Sequence, residues 1–145
     1  MPLGHEQLRL KNQLCFPLYA SAKEVVRQYT PFLEKLNLTY TQYLAMLVLW
    51  EHQSMNVKTL GAYLYLDSGT LTPLLKKLEQ RGFIRRIRSD ADERNVLVQL
   101  TQTGIELEDT AADIPLAMRD CLPLTDAEAA TLYQLLYKVL AADNH

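Results

Sequence analysis

The sequence has few of the residues that cross-link small proteins or bind metals. It contains only two cysteines, Cys15 and Cys121, which lie far apart, and its three histidines are scattered with no cysteine at ligand spacing. Two distant cysteines give poor support for a structural disulfide, and metal sites need clustered ligands. We therefore expect neither a disulfide framework nor a metal site, and nothing in the sequence indicates a cofactor.

Long apolar runs are also missing. No stretch reaches the roughly 18 uncharged apolar residues that a membrane-spanning helix requires. The longest candidate, YLAMLVLW at 43–50, is bounded by Gln42 and Glu51. The charged N-terminal stretch LGHEQLRLKNQ also differs from the apolar segment of a secretion signal. We therefore expect a cytoplasmic protein without a membrane partner.

What the sequence does contain is the composition of one globular domain with unevenly distributed charge. Its 145 residues are 48% hydrophobic and 22% charged, with a net charge of −2. Residues 58–94 hold eight lysines and arginines against five acidic residues, whereas the rest of the chain holds seven against twelve. A basic middle in an acidic chain favours a surface that binds a polyanion, although ordinary solvated charge explains the composition equally well.

Hydrophobic periodicity predicts helices at both ends of the chain. Residues 6–29 follow helical spacing, and Pro17 is expected to bend this helix close to Cys15. Thr125 and Glu128 have the spacing of a capping box and predict the start of the last amphipathic helix.

The middle of the chain has the order of a winged helix-turn-helix: a helix, a short helix, a helix with a polar face and then a hairpin. In the third helix, at 68–82, leucines recur at helical spacing and leave polar side chains on the other face. Short β-branched runs at 83–89 and 95–101 flank a charged turn and predict the hairpin. The alternative is an ordinary α+β domain, but basic residues on both helix and hairpin favour DNA binding.

Longer motifs in the sequence resemble a known family. DERNVLVQLTQTG at 92–104, preceded by LEQRGFIRR at 78–86, resembles the wing signature of the MarR-family transcription regulators. Three further segments resemble the organic-hydroperoxide-sensing, OhrR-type branch of that family: NQLCFPLYAS at 12–21, YTPFLEKLNLTYTQYLAMLVLWEH at 29–52 and LYLDSGTLTPLLKKLEQRG at 64–82. The resemblance covers residues 8–115 nearly continuously and the remainder more loosely.

The resemblance implies a single MarR-like domain over residues 1–145. A winged helix-turn-helix is implied at about 41–101, and dimerisation helices at about 6–38 and 103–143. The fold class is then mainly α with a small β-hairpin wing. The implied partners are a second copy of the chain and a double-stranded DNA operator.

The same resemblance implies that an organic hydroperoxide is the inducer. By position in the matching motifs, Cys15 is the peroxidatic cysteine, Tyr29 and Tyr40 hydrogen-bond its thiolate, and Tyr19 lies near that pocket. A thiolate is the form that attacks a peroxide, and phenol hydroxyls donate to it without adding a charge. The alternative is a cysteine that packs as a small apolar side chain.

Cys121 is implied to be a resolving cysteine. In two-cysteine members of the branch the bridge joins the peroxidatic cysteine of one subunit to a second thiol of the other. Cys121 stands just before the last helix, where such a thiol would lie. We expect a disulfide between Cys15 and Cys121 of different subunits, with an inert, partly exposed Cys121 thiol as the alternative.

Polar side chains of the third helix and the hairpin are the candidates for DNA contacts. They are Ser68, Thr70, Thr72 and Lys76 on the helix, and Arg86, Asp92 and Arg94 on the hairpin. Arg94 at the wing tip suits insertion into the minor groove, with Asp92 fixing it by an ion pair. The alternative for each arginine is a solvated surface charge.

Together these features predict a dimeric repressor that leaves its operator when Cys15 is oxidised, in a stoichiometric reaction rather than enzymatic turnover. One alternative is a MarR-type repressor released by a small lipophilic or phenolic ligand, with Cys15 as packing. A second alternative is a thiol peroxidase, but no histidine or nearby arginine in the sequence plainly serves to activate a peroxide.

Overall fold

The structure is a computed structural model that describes residues 4–89, 91 and 95–142. Within these residues, two short 3-10 turns at Glu6–Leu8 and Leu10–Asn12 precede seven α-helices and three β-strands. The helices are α1 (Cys15–Glu34), α2 (Tyr40–His52), α3 (Val57–Leu64), α4 (Ser68–Gln80), α5 (Gln102–Ala111), α6 (Ile114–Cys121) and α7 (Asp126–Ala141). The strands are β1 (Ser54–Asn56), β2 (Ile84–Arg88) and β3 (Val96–Leu100). The predicted fold class, mainly α with a small β wing, is confirmed.

The chain divides into two compact units, Met1–Ile114 and Pro115–His145. The first unit contains α1 to α5 and the sheet, together with most of the buried apolar side chains. The second contains α7 and all but the first residue of α6. The predicted capping box is present at the start of α7, where Thr125 and Glu128 accept each other's backbone N–H groups.

The sheet has one more strand than the sequence predicted. β2 and β3 form the expected antiparallel hairpin, with Arg86 opposite Val98. β1 pairs with the other edge of β3, with Ser54 opposite Gln99, so that β3 is the central strand. A strand of three residues is too short to show the alternation by which strands are recognised in a sequence.

Helix α1 begins later than the periodicity indicated, at Cys15 rather than at residue 6. Pro17 is its third residue, and the N–H groups of the first turn have no acceptor within a helix. Pro17 therefore removes no helical hydrogen bond, and the cause from which a bend was predicted is absent. Pro31 lies inside the helix instead, and α1 continues past it to Glu34.

Side-chain caps fix the starts of α2 and α4. The Thr39 hydroxyl accepts the N–H of Gln42, and the Gln42 amide oxygen accepts the N–H of Thr39, which completes a capping box. Asp67 accepts the N–H of Thr70 at 2.7 Å, and this bond lowers the pKa of the Asp67 carboxyl below its ordinary value. α4 therefore starts directly after Asp67 and runs as one helix through Pro73.

The inward face of α4 lies at the centre of the core. Its four leucines are each at most 7% exposed, as their spacing predicted: Leu71, Leu74, Leu75 and Leu78. α4 packs against α2, α3 and β2. Burying one leucine contributes roughly 1.5–3 kcal/mol relative to leaving it exposed, so this face directs the opposite, polar face of α4 towards solvent.

Gly104 allows α5 to pack closely against the residue that precedes β2. A Cβ atom at this position would overlap the carbonyl oxygen of Phe83. The Gly104 carbonyl accepts the indole N–H of Trp50 at 2.9 Å, and its own N–H donates to the Thr101 cap of α5. The glycine thereby connects α2, α5 and the base of the wing.

Replacing Gly104 should weaken the fold. We expect Gly104→Ala to lower the free energy of unfolding by roughly 1–3 kcal/mol, because the added methyl must displace backbone. Gly69→Ala is the matched control, since a Cβ there meets nothing nearer than an Asp67 carboxylate oxygen at 3.5 Å. Gly69→Ala should leave the free energy of unfolding unchanged or raise it by up to about 1 kcal/mol, because alanine is the better helix former. Equal urea midpoints for the two variants would contradict this account.

Candidate redox site and nucleic-acid interface

The outward face of α4 carries the side chains predicted to contact DNA. Ser68, Thr70 and Lys76 are exposed, and Thr72 is half-buried. Ser68, Thr72 and Lys76 recur every four residues, so they form one row along the helix, and Thr70 lies to the side of that row. The structure therefore brings three of the four predicted helix contacts together.

A cleft of about 540 Å³ lies between α3, α4 and the start of β3. Ser68 and Thr72 line it from α4, Val96 from β3 and Lys58 from α3. Lys58 is exposed and was not among the predicted contacts. Its place in the basic segment, on the short helix before α4, was the signal that could have identified it.

Arg86 does not join this exposed row. Its guanidinium donates to a Glu79 carboxylate oxygen at 3.0 Å, and its backbone N–H donates to the other oxygen at 3.0 Å. These bonds hold the pKa of Glu79 below its ordinary value, the Arg86 side chain being the main cause. The Arg86 side chain therefore connects β2 of the wing to α4.

Asp92 and Arg94, the two predicted contacts of the wing tip, lie outside the described residues. The hairpin pairing continues one residue beyond the two strands, because the Ser89 N–H donates to the Asn95 carbonyl oxygen at 3.0 Å. The roles of Asp92 and Arg94 stay predictions.

Cys15 is the first residue of α1 and an exposed, free thiol. The apolar side chains around it in the chain, Leu14, Phe16 and Leu18, are exposed as well. The N–H groups of a helix's first turn carry partial positive charge, which stabilises an anion placed beside them. The sequence did not reveal this feature, because the periodicity placed the helix start nine residues earlier.

Tyr29 and Tyr40 lie together, as the resemblance implied. Their ring centroids are 4.8 Å apart, and the buried Tyr43 joins them at 5.7 Å from Tyr29. Burial raises the pKa of Tyr29 to about 12, and it also raises the pKa values of Tyr40 and Tyr43. All three phenols therefore keep their protons at neutral pH and can act as hydrogen-bond donors.

The tyrosine pair is remote from the cysteine of the same chain. Cys15 and Tyr29 both belong to α1, and fourteen residues at 1.5 Å per residue separate them by about 21 Å along the axis. This separation is several times a hydrogen-bonding distance. Within one chain, the structure brings Tyr29 to Tyr40 but brings neither tyrosine to Cys15.

Tyr19 is the one predicted pocket tyrosine that lies near Cys15 in the same chain. It follows Cys15 by one helical turn and is exposed. The Lys23 ammonium lies 5.2 Å from its ring centroid, within the range of a cation–π contact. Together with Val26, these side chains line a shallow, mainly apolar groove along α1.

Cys121 is the last residue of α6, in the second unit, and it too is exposed and free. It therefore precedes α7, as predicted. In the part of the chain that the structure describes, no group of histidine, cysteine and acidic side chains could hold a metal ion. Nor is any described helix long and apolar enough to cross a membrane.

A three-stranded winged helix-turn-helix with a polar face on α4 defines a class of DNA-binding regulator, and comparisons with known proteins agree. The model of the transcriptional regulator SarA/Rot family matches residues 27–110. The organic hydroperoxide resistance transcriptional regulator of Bacillus subtilis is 50% identical over 135 residues, which cover 93% of this chain and 92% of that one.

Solved structures give the same grouping. Reduced AbfR bound to DNA is 35% identical, with a TM-score of 0.78 and coverage of 94% of this chain and 95% of that one. A mutant MarR from E. coli complexed with operator DNA is 27% identical, with a TM-score of 0.73 and coverage of 88% and 93%. The chain belongs to the MarR family of winged-helix transcriptional regulators, in the branch of the organic hydroperoxide regulators.

The salt dependence of DNA binding distinguishes Lys76 from Arg86. For a duplex selected by the wild-type protein, we expect Lys76→Gln to reduce the slope of log K against log salt by about 0.9 for each phosphate that is no longer neutralised. Arg86→Gln should leave the slope unchanged, because the Arg86 guanidinium is engaged by Glu79. Fluorescence anisotropy over a salt series measures both. An equal decrease of slope in the two variants would mean that Arg86 also binds phosphate.

Proposed function

We propose that the protein is a transcriptional repressor that leaves its DNA operator when an organic hydroperoxide oxidises Cys15. The observation that carries this proposal is a free, exposed cysteine at the first residue of α1, in a chain 50% identical to an organic hydroperoxide resistance regulator. In this function the protein acts in the cytoplasm, and each Cys15 reacts once per release rather than turning over.

A homodimer is part of the proposal. Leu14, just before α1, and Leu18 and Val26 on α1 follow helical spacing and are between 40% and 85% exposed. In the second unit, Leu135 and Val139 on α7 are likewise more than half exposed. Soluble monomers rarely expose large contiguous apolar patches, so these faces favour coverage by another molecule.

A second copy of the chain is the occupant that also completes the redox site. Because α1 keeps Cys15 about 21 Å from Tyr29 of its own chain, the Tyr29–Tyr40 pair can donate to a Cys15 thiolate only in another molecule. In the proposed dimer, the tyrosine pair of one protomer faces Cys15 of its partner. Tyr19, one turn from Cys15, then lines the same pocket from the cysteine's own chain.

The chemistry of the proposed site follows from its donors. The Cys15 thiolate attacks the terminal oxygen of the hydroperoxide, so that an S–O bond forms, the O–O bond breaks and an alkoxide leaves. The cysteine sulfur is oxidised to the sulfenic level, and the peroxide is reduced to an alcohol after the alkoxide takes up a proton. Tyr29 and Tyr40 supply O–H donors without charge, because phenols are protonated at neutral pH and burial raises the pKa values of both further. The apolar side chains around Cys15 favour organic peroxides over hydrogen peroxide.

Cys121 is the proposed resolving thiol. Its thiolate attacks the Cys15 sulfenic acid of the other protomer, forming an S–S bond and releasing hydroxide, which is protonated to water. Support comes from its exposed, free thiol just before α7 and from AbfR, which has been solved in a disulfide-formed state at 35% identity and a TM-score of 0.68, over 94% of this chain and 93% of that one. Disulfide closure needs Cα atoms within about 7 Å, so reaching it by movement would alter the geometry of the dimer.

The DNA-binding part of the proposal assigns α4 to the major groove. Ser68, Thr70 and Thr72 would contact bases or phosphates near the start of the helix, and Lys76 would contact phosphate. Arg94 would enter the minor groove from the wing tip, fixed by Asp92. Two copies of α4 in a dimer would read half-sites one helical turn of DNA apart.

Oxidation of Cys15 should be necessary for release. We expect cumene hydroperoxide to weaken the binding of the wild-type protein to its selected duplex at least about fivefold, and to leave Cys15→Ser within about twofold of its untreated affinity. Anisotropy titration before and after treatment measures this. Release of Cys15→Ser to the wild-type extent would favour a repressor that binds a lipophilic ligand instead.

Removal of the second cysteine tests the resolving step. Oxidised wild type should migrate as a covalent dimer on a non-reducing gel, and Cys121→Ser should migrate as a monomer whose Cys15 carries added oxygen by mass spectrometry. Cys15→Ser is the control that should also stay monomeric. A covalent dimer in oxidised Cys121→Ser would mean that Cys121 takes no part in the bridge.

A further inference from the structure

The C-terminal end of α4 is attached to the corner between α1 and α2. Arg81, the residue that follows α4, reaches this corner with one terminal nitrogen, Nη1. That nitrogen donates to the Gln42 side-chain oxygen at 2.9 Å and to the Asn37 carbonyl oxygen. These hydrogen bonds join segments that are far apart in the sequence, so the basic composition of residues 58–94 could not predict them.

The acceptor of this contact is a buried amide. Gln42 is 2% exposed, and among the described residues no other polar side chain is as deeply buried. Its oxygen also accepts the Thr39 N–H at 3.0 Å as part of the α2 capping box. One oxygen atom therefore bonds both the start of α2 and the end of α4.

The same start of α2 carries a tyrosine of the proposed redox pocket. Tyr40 is the first residue of α2, next to the Thr39 cap and two residues before Gln42. The capping box beside Tyr40 is therefore connected, through the shared Gln42 oxygen, to Arg81 at the end of α4. The wing is in turn connected to α4, because Arg86 of β2 is bonded to Glu79 of α4.

We propose that Arg81 is a positioning residue that couples the Tyr29–Tyr40 pair to the DNA-reading helix. The inference rests on the proposed function and adds to it the route by which a change at the redox pocket alters α4. Arg81 contacts neither the peroxide nor the reacting sulfur in this role. It fixes the orientation of α4 relative to the helix that presents Tyr40.

Arg81→Met tests the coupling by removing the donor while keeping a long side chain. The measured quantity is the ratio of the dissociation constants of the oxidised and reduced protein for the selected duplex. We expect this ratio to fall at least about fivefold in Arg81→Met, with the rate of Cys15 oxidation within about twofold of wild type. A merely structural role would change stability without changing this ratio.

Two variants serve as controls. Lys35→Met removes an exposed positive charge at the same corner, at the C-terminal end of α1, and should leave the ratio unchanged. Gln42→Glu keeps an oxygen that accepts from both Thr39 and Arg81, and should keep the ratio within about twofold of wild type. Arg81→Lys, which keeps the charge but removes the planar donor, carries the same test if Arg81→Met does not fold.

The outcomes separate the two proposals. A wild-type protein whose DNA affinity ignores oxidation overturns the proposed function, and this inference with it. If oxidation weakens DNA binding of the wild type as expected, and Arg81→Met has the same ratio of oxidised to reduced dissociation constants, the inference alone is overturned. The same holds for Arg81→Lys where that variant is used.

Discussion

The length of α1 is the constraint on which the proposed redox site depends. As one helix from Cys15 to Glu34, it separates the Cys15 thiol from Tyr29 by about 21 Å, so within a single chain Cys15 cannot receive a hydrogen bond from the tyrosine pair. In the proposed dimer, each Cys15 receives its hydrogen-bond donors from the tyrosine pair of the partner chain. The dimer also covers the apolar side chains that α1 leaves exposed.

The position of α4 depends on two polar contacts near its C-terminal end. Glu79 bonds Arg86 of the wing, and Arg81 bonds Gln42 at the start of α2. Two arginines of the basic segment therefore act within the fold, and only part of the segment's charge remains for a polyanion. The proposed DNA-binding surface is consequently smaller than the composition indicated: it consists of the polar face of α4 and the wing tip.

Local patterns in the sequence were enough to predict the inward leucines of α4, the β2–β3 hairpin and the capping box of α7. They did not predict the start of α1, because the apolar periodicity continues through the 3-10 turns before Cys15. The role of Arg86 was also beyond reach, since its contact with Glu79 is a tertiary one that no local pattern encodes. The resemblance supplied the tyrosine pair, but the geometry of α1 supplied the reason that a second chain is needed.

The most direct test of the central claim uses two mixed dimers, purified with different affinity tags. One pairs a Cys15→Ser chain with a Tyr29→Phe/Tyr40→Phe chain, and the other pairs a wild-type chain with a chain carrying all three substitutions. Each has one Cys15, whose rate of oxidation by cumene hydroperoxide is followed by mass spectrometry. We predict near wild-type oxidation in the first and at least about tenfold slower oxidation in the second, because only the first sets Cys15 against the partner's intact tyrosines. The reverse order would contradict the account.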